Sequence, residues 1–283
     1  MPATRTTHGL APAQVHCRLN VALREDERAG FVSARVRDQR ARADRREPLG
    51  EEVALRVGER TLSFSWGHPW QLGTAAYWAE QTRRRPHVES YALGATLAEE
   101  LGACMLGGYG IPAAVGIAAY DAVRTAGLLE ATPTAGAIEA VLRTPLSVPG
   151  RARPVRYRFA AQRAYRLAGA LAMLRAGEPP REPLDLRDWL LSLPGVGPKT
   201  ASWVVRNHCG CGRVAIVDVH VHRAGLTAGF FACDWRLPRD YRRFESAFCQ
   251  VAERAGVSAA ALDACVWDQL QALGPAGALL LAR

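Results

Sequence analysis

Two hydrophobic periodicities divide the chain near residue 88. Before it, apolar positions recur every second residue or in short β-branched runs, as in HCRLNVAL (16–23), GFVSARV (30–36), EVALRV (52–57) and TLSFSW (61–66). That is the period of strands with one apolar face, and Gly58-Glu59-Arg60 marks a tight turn between the last two. After it, apolar residues recur at spacings of three and four. This predicts helices over 91–106, 112–126, 133–143, 157–176, 239–255 and 258–273, and a pair of helices within 185–206. No internal repeat interrupts the pattern. The expectation is a mainly α fold in which a small β-containing unit (1–88) precedes a helical body (89–283).

The helix pair is the most specific local signal. In DLRDWLLSLPGVGPKTASWVVR (185–206), Leu186, Trp189, Leu190 and Leu193 form one apolar stripe. Pro194 and Gly195 end that helix, Gly197 supplies a second permissive position, and Pro198 stands where a new helix begins. The second helix then carries Lys199, Trp203 and Arg206 along one side. Glycines in such a turn let a backbone approach a phosphate closely, and the N–H groups opening the second helix suit an anion.

Charge agrees with that partner. The chain carries a net charge of +9 and a sequence pI of about 9.6, a surplus suited to a polyanion whose counterions are released on binding. Basic segments at 35–46, 83–85, 151–158 and 236–243 are spread along the chain, which favours a basic face over a basic tail. No run approaches the ~20 apolar residues of a membrane helix, and MPATRTTHGLAPAQ lacks a signal peptide's apolar centre. No membrane association, a cytoplasmic location and a monomeric state are expected. Seven widely spaced cysteines form no CxxC pair, which suits a reducing compartment.

Of the 36 basic residues, one is a lysine, Lys199. Arginine replaces lysine as a surface charge, but only lysine becomes a neutral amine able to form a Schiff base. Retention of a single lysine is therefore what a nucleophile would leave behind, and it is equally what chance survival under a coding bias would leave. Its place in the first turn of a helix favours chemistry, because the positive end of the helix dipole lowers the amine's pKa.

LPGVGPKTA (193–201) followed by GCGRVAIVDVHVHR (210–223) resembles the helix-hairpin-helix/Gly-Pro-Asp superfamily of DNA glycosylases. The resemblance implies two helical lobes with a cleft between them, over about residue 89 to the end. It implies that Lys199 is the nucleophile of a bifunctional glycosylase and strand-nicking lyase, and that Asp218, closing the 210–218 loop, is the carboxylate beside it. Gly195, Gly197 and His220 would contact DNA phosphates. VDVH (217–220), with Trp203 one turn after the lysine, looks like the 8-oxoguanine branch, in its archaeal rather than eukaryotic form. There Trp203 and Trp267 would hold the extruded base and Asp263 would read it. Guanine's edge presents two donors, which one carboxylate can accept together. A solvated Asp263 and a core Trp267 are the alternative. In GGYGIP (107–112), Tyr109 would enter the gap left by the flipped base, or else cap a helical corner.

The implied partner is double-stranded DNA containing a damaged base. The resemblance implies no cofactor beyond a structural monovalent cation that such hairpins can hold. Cys233, Cys249 and Cys265 are too far apart for the iron–sulfur motif of endonuclease III relatives. C-x-C at 209–211 and H-x-H at 220–222 are poorly spaced for one tetrahedral zinc, so no metal ligand is expected. Glycosylases for oxidised pyrimidines or alkylated purines, a non-catalytic hairpin protein and a metal-dependent nuclease are the rivals. Asp263, Lys199 with Asp218, and the lack of a carboxylate cluster argue against them in turn.

Overall fold

The computed structural model describes residues 50–274 and Ala276, apart from His87, Glu89 and Tyr109. These residues belong to a compact unit beginning at Leu49. The strands expected at 16–23 and 30–36 and the proposed plug Tyr109 lie outside the described residues. Mainly helical architecture is observed: β1 (Glu52–Val57) and β2 (Arg60–Ser65) precede α1 (Ala75–Arg83), α2 (Leu97–Leu106), α3 (Ala113–Thr125), α4 (Ala135–Arg143), α5 (Ala160–Ala176), α6 (Pro183–Leu190), α7 (Pro198–Cys209), α8 (Val219–Ala228), α9 (Tyr241–Ala255) and α10 (Ala259–Leu273).

Local chemistry sets most of the boundaries. Thr74, Thr134 and Ser258 each accept a backbone N–H at the start of their helices, and Glu182 caps α6 ahead of Pro183. The helix expected from 91 starts at 97 because Thr96 and Glu99 form a reciprocal capping box. Glycines in left-handed backbone close α7 at Gly210, α8 at Gly229 and α9 at Gly256.

Two hydrophobic cores result. One is built from α2 to α7 and includes Leu101, Leu106, Ile138, Leu171, Leu190 and Val205. The other joins β1, β2 and α1 to α8, α9 and α10, around Trp78, Phe230, Phe231, Phe244 and Phe248. The division expected after residue 88 is therefore not a division of packing: the hairpin and α1 share a core with the last three helices. The reason is physical. β1 and β2 are antiparallel, Val53 facing Phe64 and Leu55 facing Leu62, and a lone two-stranded ribbon cannot shelter its apolar face. Phe64 meets Phe230 edge-on at 5.9 Å. Gln250 of α9 completes the β1 edge, accepting the Arg56 N–H at 3.2 Å and donating to the Arg56 carbonyl at 2.8 Å.

The segment after α7 passes from one core to the other: Val214 is buried in the first, Ala215 and Val217 in the second. The Asp218 loop is thus the crossing between them.

Phe244 is fully buried, with edge-on contacts to Phe231, Trp235 and His222. Phe244→Ala should cost about 3–5 kcal/mol of stability, as buried aromatic truncations do, measurable by guanidinium unfolding.

Candidate active site

The hairpin has the expected form, with α7 running three residues further than its pattern indicated. Leu193 and Val196 anchor the turn in the first core. Gly195 has φ +80°, and a Cβ there would lie 2.6–2.9 Å from the aliphatic carbons of Arg166, so both backbone and space require glycine. Gly197 caps α7 without a side-chain bond, and Pro198 occupies its first turn.

Within that first turn, the Lys199 amine lies 5.4 Å from the centre of the Trp203 ring. Burial lowers the Lys199 pKa, Arg163 adds to the depression, and Asp218 and Cys104 act against it. Trp203 packs over Gly107, where a Cβ would stand 3.1 Å from its ring edge. Gly107 therefore adjoins the lysine's neighbour.

Asp218 is the N-cap of α8. Its Oδ1 accepts the His220 N–H at 2.8 Å and the Val221 N–H at 2.9 Å, which fixes the carboxylate against the helix opening. His220 is half-buried in that first turn. His222 packs on Phe244 instead, and burial lowers its pKa, as suits a core histidine.

Asp263 is neither solvated nor on an open face. It is 3% exposed, its Oδ2 accepts the Ile216 N–H at 2.9 Å, and its Oδ1 lies 3.6 Å from Arg206 Nη2. Burial pushes its pKa up to about 7, against the opposing pull of Arg206 and the Ile216 N–H. Arg206, two turns beyond Lys199, stacks on Tyr91 at 4.4 Å. Lys199, Trp203, Asp218 and the Asp263–Arg206 pair are thus linked by contact or charge. Trp267 stands one helical turn after Asp263, half-buried.

Three contributors carried no assignable signal in the pattern. Tyr241 and Glu245 bond the Asp218 loop from α9, and their helical spacing marks them only as one face. Phe159 precedes α5 with φ +63°, the sole non-glycine with positive φ among the described residues. It is 48% exposed, its neighbour Arg158 stacks on its ring, and its edge abuts Gly110. A bulky residue in left-handed backbone is a strained arrangement found preferentially at functional sites.

Residues 94–257 match the family model described as 8-oxoguanine DNA glycosylase. Among solved structures, the 8-oxoguanine DNA glycosylase of Methanocaldococcus jannaschii is 22% identical, with 60% of this chain and 76% of that one covered and a TM-score of 0.49. That of Thermotoga maritima is 26% identical, with 60% and 77% covered and a TM-score of 0.45. No curated protein matches the chain.

Because the Lys199 pKa is lowered, its neutral fraction should appear at lower pH than that of an ordinary lysine. The rate of Lys199 acylation, followed by mass spectrometry of its peptide, should rise with pH and level off below the ordinary value of 10.5.

Proposed function

This chain belongs to the 8-oxoguanine DNA glycosylase family, and we propose that it removes an oxidised guanine through a Schiff base on Lys199 and then nicks the strand. The observation that carries the covalent step is the chain's one lysine, half-buried in the first turn of α7 with its pKa lowered and the Asp218 carboxylate acting on it.

Duplex DNA lies along the basic face. The hairpin backbone at Gly195 and Gly197 holds a phosphate, and His220 holds another. The damaged nucleotide is turned out of the stack, and its base is held by Trp203 and Trp267. Tyr109 and Phe159 fill the space it leaves.

Neutral Lys199 Nζ forms a bond to the sugar C1′ as the glycosidic bond breaks, and the base departs with that bonding pair. Asp218 stabilises the positive charge that develops on the sugar. Loss of one of the two protons on that nitrogen, followed by opening of the sugar ring as its oxygen takes up a proton, gives an iminium that keeps the other N–H. Removal of a C2′ proton then sends an electron pair towards C3′ and expels the 3′ phosphate. The protein acts as a monomer. A structural monovalent cation would be held by carbonyl oxygens of the turn, of which Leu193 O and Gly197 O already accept amides. It would supply counter-charge to the phosphate.

Borohydride trapping on a duplex with one 8-oxoguanine tests this. Wild type should yield a covalent adduct and Lys199→Gln none. Adducts formed only with other lesions would overturn the substrate, and no adduct on any lesion would overturn the mechanism. Phe159→Ala should slow single-turnover excision about tenfold, the scale of one lost base–aromatic stack, while an abasic-site duplex is still trapped.

A further inference from the structure

Residues 214–217 form a largely buried segment outside any helix or strand that needs partners for its amides, and among the described residues no strand lies beside it. Three side chains stand where that strand would be. The Ala215 N–H donates to Glu245 Oε1 at 3.3 Å, the Ile216 N–H to Asp263 Oδ2 at 2.9 Å, and the Val217 N–H to the Tyr241 hydroxyl oxygen at 3.1 Å. The Tyr241 hydroxyl donates in turn to the Ala215 carbonyl at 2.8 Å, and the Asp218 N–H turns back to the Ile216 carbonyl at 2.9 Å. Buried amides must be satisfied, so these three side chains determine where the segment lies and where Asp218 emerges from it.

We infer that Asp263 is a positioning residue for Asp218 rather than the reader of the extruded base. One carboxylate oxygen is committed to the Ile216 N–H, two residues before Asp218, and the other faces Arg206. A reader would need lone pairs turned to an open pocket, and Asp263 is closed in by the segment it holds. Glu245 shares the task from α9, kept in place by Ser202 at 2.6 Å and Arg187 at 2.8 Å. Truncating Asp263 would strand one amide and leave Arg206 buried without its counter-charge. The segment would then shift, and a displacement near 1 Å at a catalytic group costs on the order of 100-fold in rate.

The inference rests on the excision reading above, and its test is a cycle between enzyme and lesion. Single-turnover excision would be measured for wild type, Asp263→Ala, Asp263→Asn, Asp218→Asn and the Asp218→Asn/Asp263→Ala double variant. Each would act on a duplex with 8-oxoguanine and on one with 8-oxohypoxanthine, which lacks the exocyclic amine. Asp263→Ala should lose about 10–100-fold, by the same factor on both lesions. Asp263→Asn should recover most of the rate, since its amide oxygen still accepts from Ile216. In the Asp218→Asn background the loss should nearly vanish.

A loss confined to 8-oxoguanine would make Asp263 a reader and overturn the inference. So would a loss that persists in full without the Asp218 carboxylate. If Asp263→Ala does not fold, Asp263→Asn decides: near-wild-type rates on both duplexes uphold the inference, and a loss confined to 8-oxoguanine overturns it. A wild type that releases neither base would sink the excision reading itself, and the inference with it.

Discussion

The crossing at residues 214–218 is the constraint on which the site depends. The chain leaves the first core at Val214 and enters the second at Ala215, so its polar backbone runs through apolar surroundings where an unpaired amide costs about 1–3 kcal/mol. Side chains from α9 and α10 meet that demand. Their carboxyls are themselves costly to bury, which is why the Asp263 and Glu245 pKa values rise and why each faces an arginine. The result holds the Asp218 carboxylate on fixed backbone between the two cores.

Lys199 and Asp218 reach this place by different routes. Lys199 sits on a helix of the first core whose opening is set by Gly195, Gly197 and Pro198. Asp218 caps a helix of the second. Their interaction is one of opposing influences: burial drives the amine towards neutrality, and the carboxylate draws it back towards charge. Burial is the larger effect, which leaves the amine easier to deprotonate than in water.

Much of this was legible in the residues. The hairpin turn, the helix starting at Pro198, the strands at 52–57 and 61–66 and the spacing from Lys199 to Asp218 all depend on neighbours a few positions away. Period, turn chemistry and capping encode such features directly. Helix starts moved by several residues where a cap intervened, as at Thr96.

The sequence by itself determined the elements, the turn between the two helices at 185–206, and the lysine and aspartate on which the resemblance rests. Tertiary structure alone decided that β1 and β2 belong with the C-terminal helices, that Asp263 faces inward, and that Phe159 stands out in left-handed backbone. Arg56 of β1 is tied to Gln250 across 194 positions, and Asp263 to Ile216 across 47. A helical aspartate reads the same whether it turns to solvent, a ligand or a buried amide. Only the packing of distant segments fixes which of these it meets.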